Sequence, residues 1–98
     1  MARIIDAEYI YEDGKAKVLN VMGGEQAKIQ AVGSGTYTLK GRLSPDCEFD
    51  DIAAIKASDF IKSSTIEDES VWCADISGYA QVTVEAFDVD KVYITIIG

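Results

Sequence analysis

Residues 71–87, VWCADISGYAQVTVEAF, bring a thiol, a carboxylate and a hydroxyl within five positions, at Cys73, Asp75 and Ser77. A cysteine nucleophile needs a base that makes the thiolate, and in enzymes this base is usually a histidine. The chain has no histidine. We therefore predict no catalytic residue here and interpret the stretch as a structural corner, in which Gly78 supplies the backbone freedom of the turn.

The two faces of this predicted strand carry different side chains. Because successive side chains of an extended strand leave opposite faces, Cys73 and Asp75 share one face, and Trp72 and Ala74 share the other. We interpret Cys73 as a small core residue and Trp72 as a large packing or interface residue. The second cysteine is Cys47, and the pair lacks the C-x-x-C spacing of a zinc site. Two buried thiols are expected, with a single disulfide as the alternative.

Acidic side chains recur in three clusters, and two kinds of chemistry use such groups. Loop carboxylates can bind Ca²⁺, but the first cluster lacks the glycine and the final glutamate of an EF-hand loop. Glycosidases place two carboxylates across a cleft, which usually requires a larger scaffold. We prefer solvated charge that keeps strand edges from pairing, and we expect no metal or cofactor. The clusters are Asp46, Glu48, Asp50 and Asp51; Glu67, Asp68 and Glu69; and Asp88 and Asp90.

Aromatic residues on the predicted strands offer a second binding hypothesis. Planar rings on a sandwich face can stack on sugars, and Tyr37, Trp72 and Tyr79 would be the ligand-facing residues of such a site. The preferred interpretation is that these rings pack in the core and at interfaces with their polar tips near water. A carbohydrate-binding module or receptor-binding tip is therefore the alternative function.

The last predicted strand, KVYITIIG, is apolar on both faces, with Val92 and Ile94 on one and Tyr93 and Ile97 on the other. A strand with one buried face should alternate more cleanly. Either this strand is central and covered on both sides, or its outer face meets another subunit.

The first predicted strand, RIIDAEYIY, has the same property. Ile4 and Ile10 lie on one face, and Ile5, Tyr9 and Tyr11 lie on the other. Two such strands in a small domain indicate a homo-oligomer, for example a trimer. The predicted interface residues are Tyr9, Tyr11, Tyr93 and Ile97.

Period-two alternation also governs the elements that position these residues. In TYTLKGRL, Tyr37, Leu39 and Leu43 form the apolar set, and QVTVEAF alternates in the same way. The segment 51–66 is ambiguous between a short capped helix and an eighth strand, DIAAIKA, and we prefer the strand. Short strands between turn signals predict an all-β, antiparallel, jelly-roll-like sandwich of about eight strands, forming one domain over residues 1–98. The other predicted strands span 3–11, 16–22, 26–32, 36–43, 70–76, 80–87 and 91–97.

Composition limits the partners. The 98 residues suffice for one domain, and the formal net charge of −8 repels both nucleic acid and anionic lipid. The charged start of the chain, with Arg3, Asp6 and Glu8, holds no apolar signal core. We expect synthesis in the cytoplasm and no contact with nucleic acid or membrane.

From about residue 35 onward, the segments GTYTLKGRLSPDCEFDDIAAI, DESVWCADISGYAQVTVEAF and DKVYITIIG resemble small β-sandwich domains of virion proteins of tailed bacteriophages. Those domains share a strand ending near G-x-x-S-x-D and a D-x-S-G-x-x-x-V-x-V corner, whereas the N-terminal third of this chain departs from the pattern. The matching positions are Gly41, Ser44, Asp46, Phe49, Asp75, Ser77, Gly78, Val82 and Val84.

This resemblance implies attachment, reinforcement or display, as in head-decoration proteins, head-fibre subunits, and tail or baseplate modules. It transfers no catalytic signature. The sequence thus predicts a non-enzymatic accessory protein of a phage virion, made in the bacterial host cytoplasm. Its partners would be further copies of itself and capsid or tail proteins.

Overall fold

The computed structural model describes residues 3–98, with side chains from residue 6 onward, and builds them as strands joined by turns. The described residues contain no helix, so none of them forms a helix long and apolar enough to cross a membrane. The strands are β1 (Arg3–Glu12), β2 (Lys15–Ala16), β3 (Leu19–Asn20), β4 (Gln26–Val32), β5 (Thr36–Arg42), β6 (Asp50–Asp51), β7 (Ala54–Lys56), β8 (Lys62–Ser63), β9 (Trp72–Asp75), β10 (Gln81–Phe87) and β11 (Lys91–Ile97).

Two antiparallel sheets contain these strands. One has seven strands in the order β2-β1-β11-β4-β9-β7-β8, and the other has four in the order β3-β10-β5-β6. The predicted all-β sandwich is therefore confirmed, and a specifically jelly-roll topology stays a prediction. The described strands number eleven instead of about eight, partly because the predicted strand 16–22 is divided into β2 and β3, which pair with different sheets.

The ambiguous segment 51–66 forms strands, as preferred, but these strands are divided between the two sheets. Asp50–Asp51 pairs with β5, and Ala54–Lys56 pairs with β9. The buried side chain of Ile52 marks the point where the chain passes from one sheet to the other. The helical alternative is wrong.

The core lies between the sheets and is made by the alternation that the sequence shows. Along β4 and β11 every second side chain is buried, and β5 follows the same period from Tyr37 to Gly41. Leu43 lies beyond the end of β5 and is exposed, so its predicted place in the apolar set is wrong. The largest fully buried side chains are Tyr37, Ile10, Ile29, Leu39, Ile66, Ile76, Ile94, Ile96, Val21, Val82 and Val92.

Two connections between the sheets meet at one end of the sandwich. The segment between β4 and β5 passes from the seven-stranded to the four-stranded sheet, and the segment between β10 and β11 passes back. Gly35 in the first connection lies against the backbone of Phe87 and Asp88 in the second. This close approach holds the two sheets together where the chain leaves each of them.

Tyr37 has a buried hydroxyl that finds no hydrogen-bond partner among the described residues, although its side chain is only 1% exposed. Burial, together with the nearby negative charge of Asp68, raises the pKa of this phenol far above its ordinary value. A buried polar group without a partner costs about 1–3 kcal/mol.

The Tyr37→Phe variant is accordingly expected to be more stable than the wild type, by about 1 kcal/mol, because it removes only the unpaired hydroxyl. Urea unfolding followed by Trp72 fluorescence measures the difference. Tyr11→Phe, which alters a half-buried tyrosine, serves as the control. A loss of stability in Tyr37→Phe would show that the hydroxyl is hydrogen bonded in solution, for example to a buried water.

Candidate functional site

Trp72 and Cys73 lie on opposite faces of β9, as predicted. The face that turns toward the core is the one that carries Trp72, whereas the prediction placed Cys73 there. Trp72, Ala74 and Ile76 are buried in the core, whereas Cys73 is half-buried on the outer face of the seven-stranded sheet, beside the exposed Asp75. The prediction that Cys73 is a core residue is wrong. The large apolar area of Trp72 gains more from burial than that of Cys73, and this decides which face turns inward.

The corner that follows is a turn held by hydrogen bonds to backbone groups. The Asp75 carboxylate accepts a hydrogen bond from the Ser77 backbone N–H at 2.9 Å, and this bond lowers the pKa of Asp75. The Ser77 hydroxyl donates to the carbonyl of Glu25 at 3.3 Å. The Tyr79 N–H closes the turn on Ile76, and Gly78 adopts a φ of 87°, which glycine reaches without strain. Both polar side chains are thus engaged with backbone groups.

Neither thiol is buried in the core. Cys47 is exposed, Cys73 is half-buried, and both are free. The expectation of two buried thiols is wrong, and so is the alternative of a disulfide between them. Cys47 lies in the turn after Leu43, where no strand pairing draws it inward.

The acidic clusters are separated into individual contacts. Asp51 forms an ion pair with Lys40 at 2.9 Å, and Glu69 accepts the Gly33 N–H at 3.2 Å. Within residues 3–98 no three carboxylate or cysteine side chains come together as a metal site would require. A Ca²⁺ site in these clusters therefore finds no support in their geometry.

Asp68 connects β7 to β9. Its Oδ1 accepts hydrogen bonds from Trp72 Nε1 at 2.9 Å and from the Ser70 N–H at 3.1 Å, and its Oδ2 lies 3.1 Å from Lys56 Nζ. These contacts, with the bond from Trp72 contributing most, lower the pKa of Asp68. The same ion pair raises the pKa of Lys56.

Acid is expected to remove the stability that the Asp68 carboxylate contributes. Because its pKa is lower in the folded chain than the unfolded value of about 3.9, this contribution is complete above the unfolded pKa and is lost as the pH falls through the folded pKa. We expect Asp68→Asn to be less stable than the wild type by about 1 kcal/mol at pH 7, since the partly exposed ion pair is lost.

The difference between Asp68→Asn and the wild type should begin to shrink below about pH 4, the unfolded pKa, and should be lost once the pH has fallen through the lower pKa of the folded carboxylate. Urea unfolding at a series of pH values, followed by Trp72 fluorescence, measures it. The control is Asp46→Asn, at an exposed turn position. A difference that stays constant down to the acid-unfolding limit would contradict this role of the charge.

The two outer surfaces of the sandwich differ in chemistry. We call the outer surface of the seven-stranded sheet the broad face and that of the four-stranded sheet the narrow face. Alternation along β4, β9 and β11, together with the residues that line the depressions of this surface, defines the broad face. Its members are Ala7, Tyr9, Gln26, Lys28, Gln30, Val32, Ile55, Val71, Cys73, Asp75, Lys91, Tyr93, Thr95 and Ile97.

The narrow face is mainly polar, with Phe87 exposed at the end of β10, and its polar side chains pair with one another. Arg42 donates to Gln81 at 2.8 Å, and Gln81 donates to Asn20 at 2.8 Å. Lys40 lies between Asp51 and Glu85. With its polar groups already paired, the narrow face is typical of a surface that stays in water.

Tyr9 and Tyr93 form an aromatic pair on the broad face, with ring centroids 5.0 Å apart. The amino group of Lys91 lies 4.8 Å from the centre of the Tyr9 ring and also reaches the Tyr9 hydroxyl at 3.4 Å. The contact with Tyr9 raises the pKa of Lys91, and burial raises the pKa of Tyr93. The Glu12 carboxylate lies 3.5 Å from the Lys91 amino group, so the cluster presents two rings beside an ion pair.

The other two predicted interface residues take different positions. Ile97 is half-buried and lines a depression of about 520 Å³ at one end of the broad face, together with Ile55 and Cys73. Tyr11 instead packs against the core, because an irregular register of β1 between Tyr9 and Tyr11 places Tyr11 opposite Val92. The prediction that Tyr9 and Tyr11 share a face is wrong. The faces predicted for Ile4 and Ile5 concern side chains that the structure does not describe.

A second depression lies near the middle of the broad face, with a volume of about 230 Å³. Small side chains, Ala7, Val71 and Thr95, leave space between the larger Tyr93 and Lys28. Val71 and Ile55 were not among the predicted site residues. The sequence does hold a signal for the position of Val71, because Val71 and Asp75 share one face of the same extended segment. A strand face that carries a carboxylate is less favourable to bury than one that carries only apolar side chains, so this face is the one expected to lie outside.

The three aromatic residues of the sugar-binding alternative do not form a platform. Tyr37 and Trp72 are 1% and 4% exposed and belong to the core, so neither ring can stack on a ligand. Tyr79 is half-buried and packs over Gly41, where a Cβ would lie 2.6 Å from its ring. It lines a separate depression of about 450 Å³ with Arg42. This set of ligand-facing residues is wrong because strand alternation turns two of its three members inward.

The fold and its surfaces define a small antiparallel β-sandwich with one outer face of mixed apolar and polar side chains and one that is mainly polar. No family model matches the sequence, and no curated protein matches it. Two solved structures share the fold. The SPBc2 prophage-derived protein YomS has a TM-score of 0.83 at 15% identity, with 100% of this chain and 96% of that chain covered. The PBSX exported protein XepA has a TM-score of 0.82 at 18% identity, and this chain spans 38% of its length.

Proposed function

We propose that this chain is a non-enzymatic accessory structural protein of a phage particle, located in the virion, which acts through protein contacts made by its broad face. Both proteins of similar fold come from prophages, and YomS matches the chain over almost its whole length. The lack of histidine and the structural use of Asp75 and Ser77 favour a role without catalysis.

The difference between the two outer faces carries the proposal. On the broad face Tyr9, Tyr93, Ile55, Val71 and Ile97 are incompletely buried. An apolar surface of this kind on a small domain is typical of a protein interface, whereas the paired polar groups of the narrow face have no need of a partner.

The distribution of charge also favours the broad face as the surface through which copies of the chain associate. A net charge of −8 makes copies of the chain repel one another, so they can associate only where carboxylates are sparse. The broad face carries Lys28 near its middle, Lys91 with its partner Glu12 at one end, and Asp75 at the other end. The first partner is therefore a second copy of the chain, and the assembled protein then docks on a capsid or tail protein.

Light scattering over a dilution series, combined with co-sedimentation with purified phage heads and tails, tests the proposal. We expect an oligomer of defined mass that pellets with one of the two particle types. A strict monomer at millimolar concentration that pellets with neither would overturn it.

A further inference from the structure

The hairpin between β7 and β8 displays two apolar side chains at its tip. Phe60 is 78% exposed and Ile61 is 56% exposed. The Phe60 N–H donates to the Lys56 carbonyl at 2.8 Å, and the Lys56 N–H donates to the Ile61 carbonyl at 2.8 Å. These bonds hold the tip in one conformation, so the Phe60 ring projects from an ordered turn.

Phe60 is also strained, because its φ of 63° lies in the left-handed region. A bulky side chain rarely adopts this conformation, whereas glycine and asparagine accept it readily. The exposed ring and the strained backbone each raise the free energy of the folded chain at this residue. Backbone strain that persists in this way occurs mainly at functional positions, which indicates a use for the ring.

The central depression of the broad face has the size and lining that such a ring requires. Its volume is about 230 Å³, and an apolar cavity of about 150 Å³ is already large enough to bind benzene. Ala7, Val71, Ile29 and Ile94 contribute apolar groups to its lining, and Tyr93 contributes an aromatic ring.

We propose that Phe60 of one copy occupies the central depression of a second copy, an arrangement that rests on the proposed self-association through the broad face. Charge complementarity supports a second copy as the occupant. Asp59 precedes Phe60 in the tip, and Lys28 borders the depression. The cross-strand neighbours of Lys28, Thr95 and Cys73, are uncharged. Within the tip, Asp59 Oδ1 accepts the Ile61 N–H at 3.4 Å, so the carboxylate would meet the Lys28 amino group through its other oxygen.

The Phe60→Asn variant tests the contact, because its expected effects on folding and on association have opposite signs. Asparagine relieves the left-handed strain, so the thermal midpoint should rise, while loss of the ring should raise the dissociation constant of the oligomer at least tenfold. Phe87→Asn is the matched control, since Phe87 is 61% exposed at the end of β10 and has an ordinary φ. Its association should equal that of the wild type.

A second variant, Ala7→Trp, fills the depression and leaves Phe60 intact. Alone it should be as weakly associated as Phe60→Asn. A mixture of the two variants should form mixed complexes in light scattering, because the Phe60 ring of one fits the open depression of the other.

The outcomes separate the two proposals. If the wild type associates and both variants associate as tightly, the Phe60 contact is wrong and the broad-face proposal stands. If the wild type does not associate, both are wrong. Failure of the mixed variants to form complexes, when each alone is folded and monomeric, would also overturn the contact.

Discussion

The Thr95→Glu variant is expected to weaken self-association by about 100-fold, corresponding to about 2.7 kcal/mol. Thr95 lies in the middle of the broad face and lines its central depression. A carboxylate there would have to leave water when two faces meet, and the penalty for burying an ion is several kcal/mol. Light scattering over a dilution series measures the change in the dissociation constant.

The matched control is Thr38→Lys on the narrow face. Thr95 lies opposite Lys28 on the neighbouring strand, and Thr38 lies opposite Glu85. Each new charge therefore faces an opposite charge within its own chain, which supports the monomer by a few tenths of a kcal/mol in both variants. The two variants differ in sheet face and in the sign of the new charge, which takes the net charge from −8 to −9 in Thr95→Glu and to −7 in Thr38→Lys. Stronger association of Thr38→Lys beside weaker association of Thr95→Glu would show that association depends on net charge, and equal association of both with the wild type would place the contact elsewhere.

The Gly35→Ala variant is expected to lower the free energy of unfolding by about 3 kcal/mol. A Cβ at position 35 would overlap the carbonyl oxygen of Phe87 and would lie 2.6 Å from the carbonyl carbon of Asp88. These are backbone atoms at the end of β10 and in its connection to β11, so moving them would disturb both sheets. For a domain of this size the thermal midpoint should fall by about 15 °C.

Gly78→Ala separates this steric effect from glycine's conformational freedom. Gly78 has a φ of 87°, and a Cβ there would meet nothing within 4 Å. Its replacement should cost only the left-handed strain, about 1 kcal/mol. Thermal unfolding followed by circular dichroism measures both variants. A similar small loss in the two would mean that the connections between the sheets can separate at little cost.

For residues 71–87 the local sequence pattern predicts one property of the structure and leaves another open. Alternation correctly separated the side chains of Trp72 and Cys73 onto two faces, because this follows from strand geometry alone. It did not decide which face turns inward. That choice depends on the core between the two sheets, which Trp72 shares with Leu39 and Val82 of the opposite sheet.

The residues of the broad face were likewise predicted only in part from the sequence. Tyr93 and Ile97 were predicted because the last strand is apolar on both faces, and the structure places both on the broad face. Tyr11 was misplaced because a single register irregularity in β1 reverses the side chains that follow it. The approach of Ala7, Val71 and Thr95 joins residues from distant parts of the chain, and no local pattern contains it.

The sequence alone determined the class of fold, the positions of the long strands β4, β5, β10 and β11, the excess of apolar groups in the terminal strands and the acidic charge, since each depends on neighbours within a few residues. Tertiary structure decided which face of β9 is buried, where Gly35 meets the second connection, and how the broad face acquires its depressions. Those features depend on the pairing of strands far apart in the chain, and the free energy of packing the whole sandwich selects them.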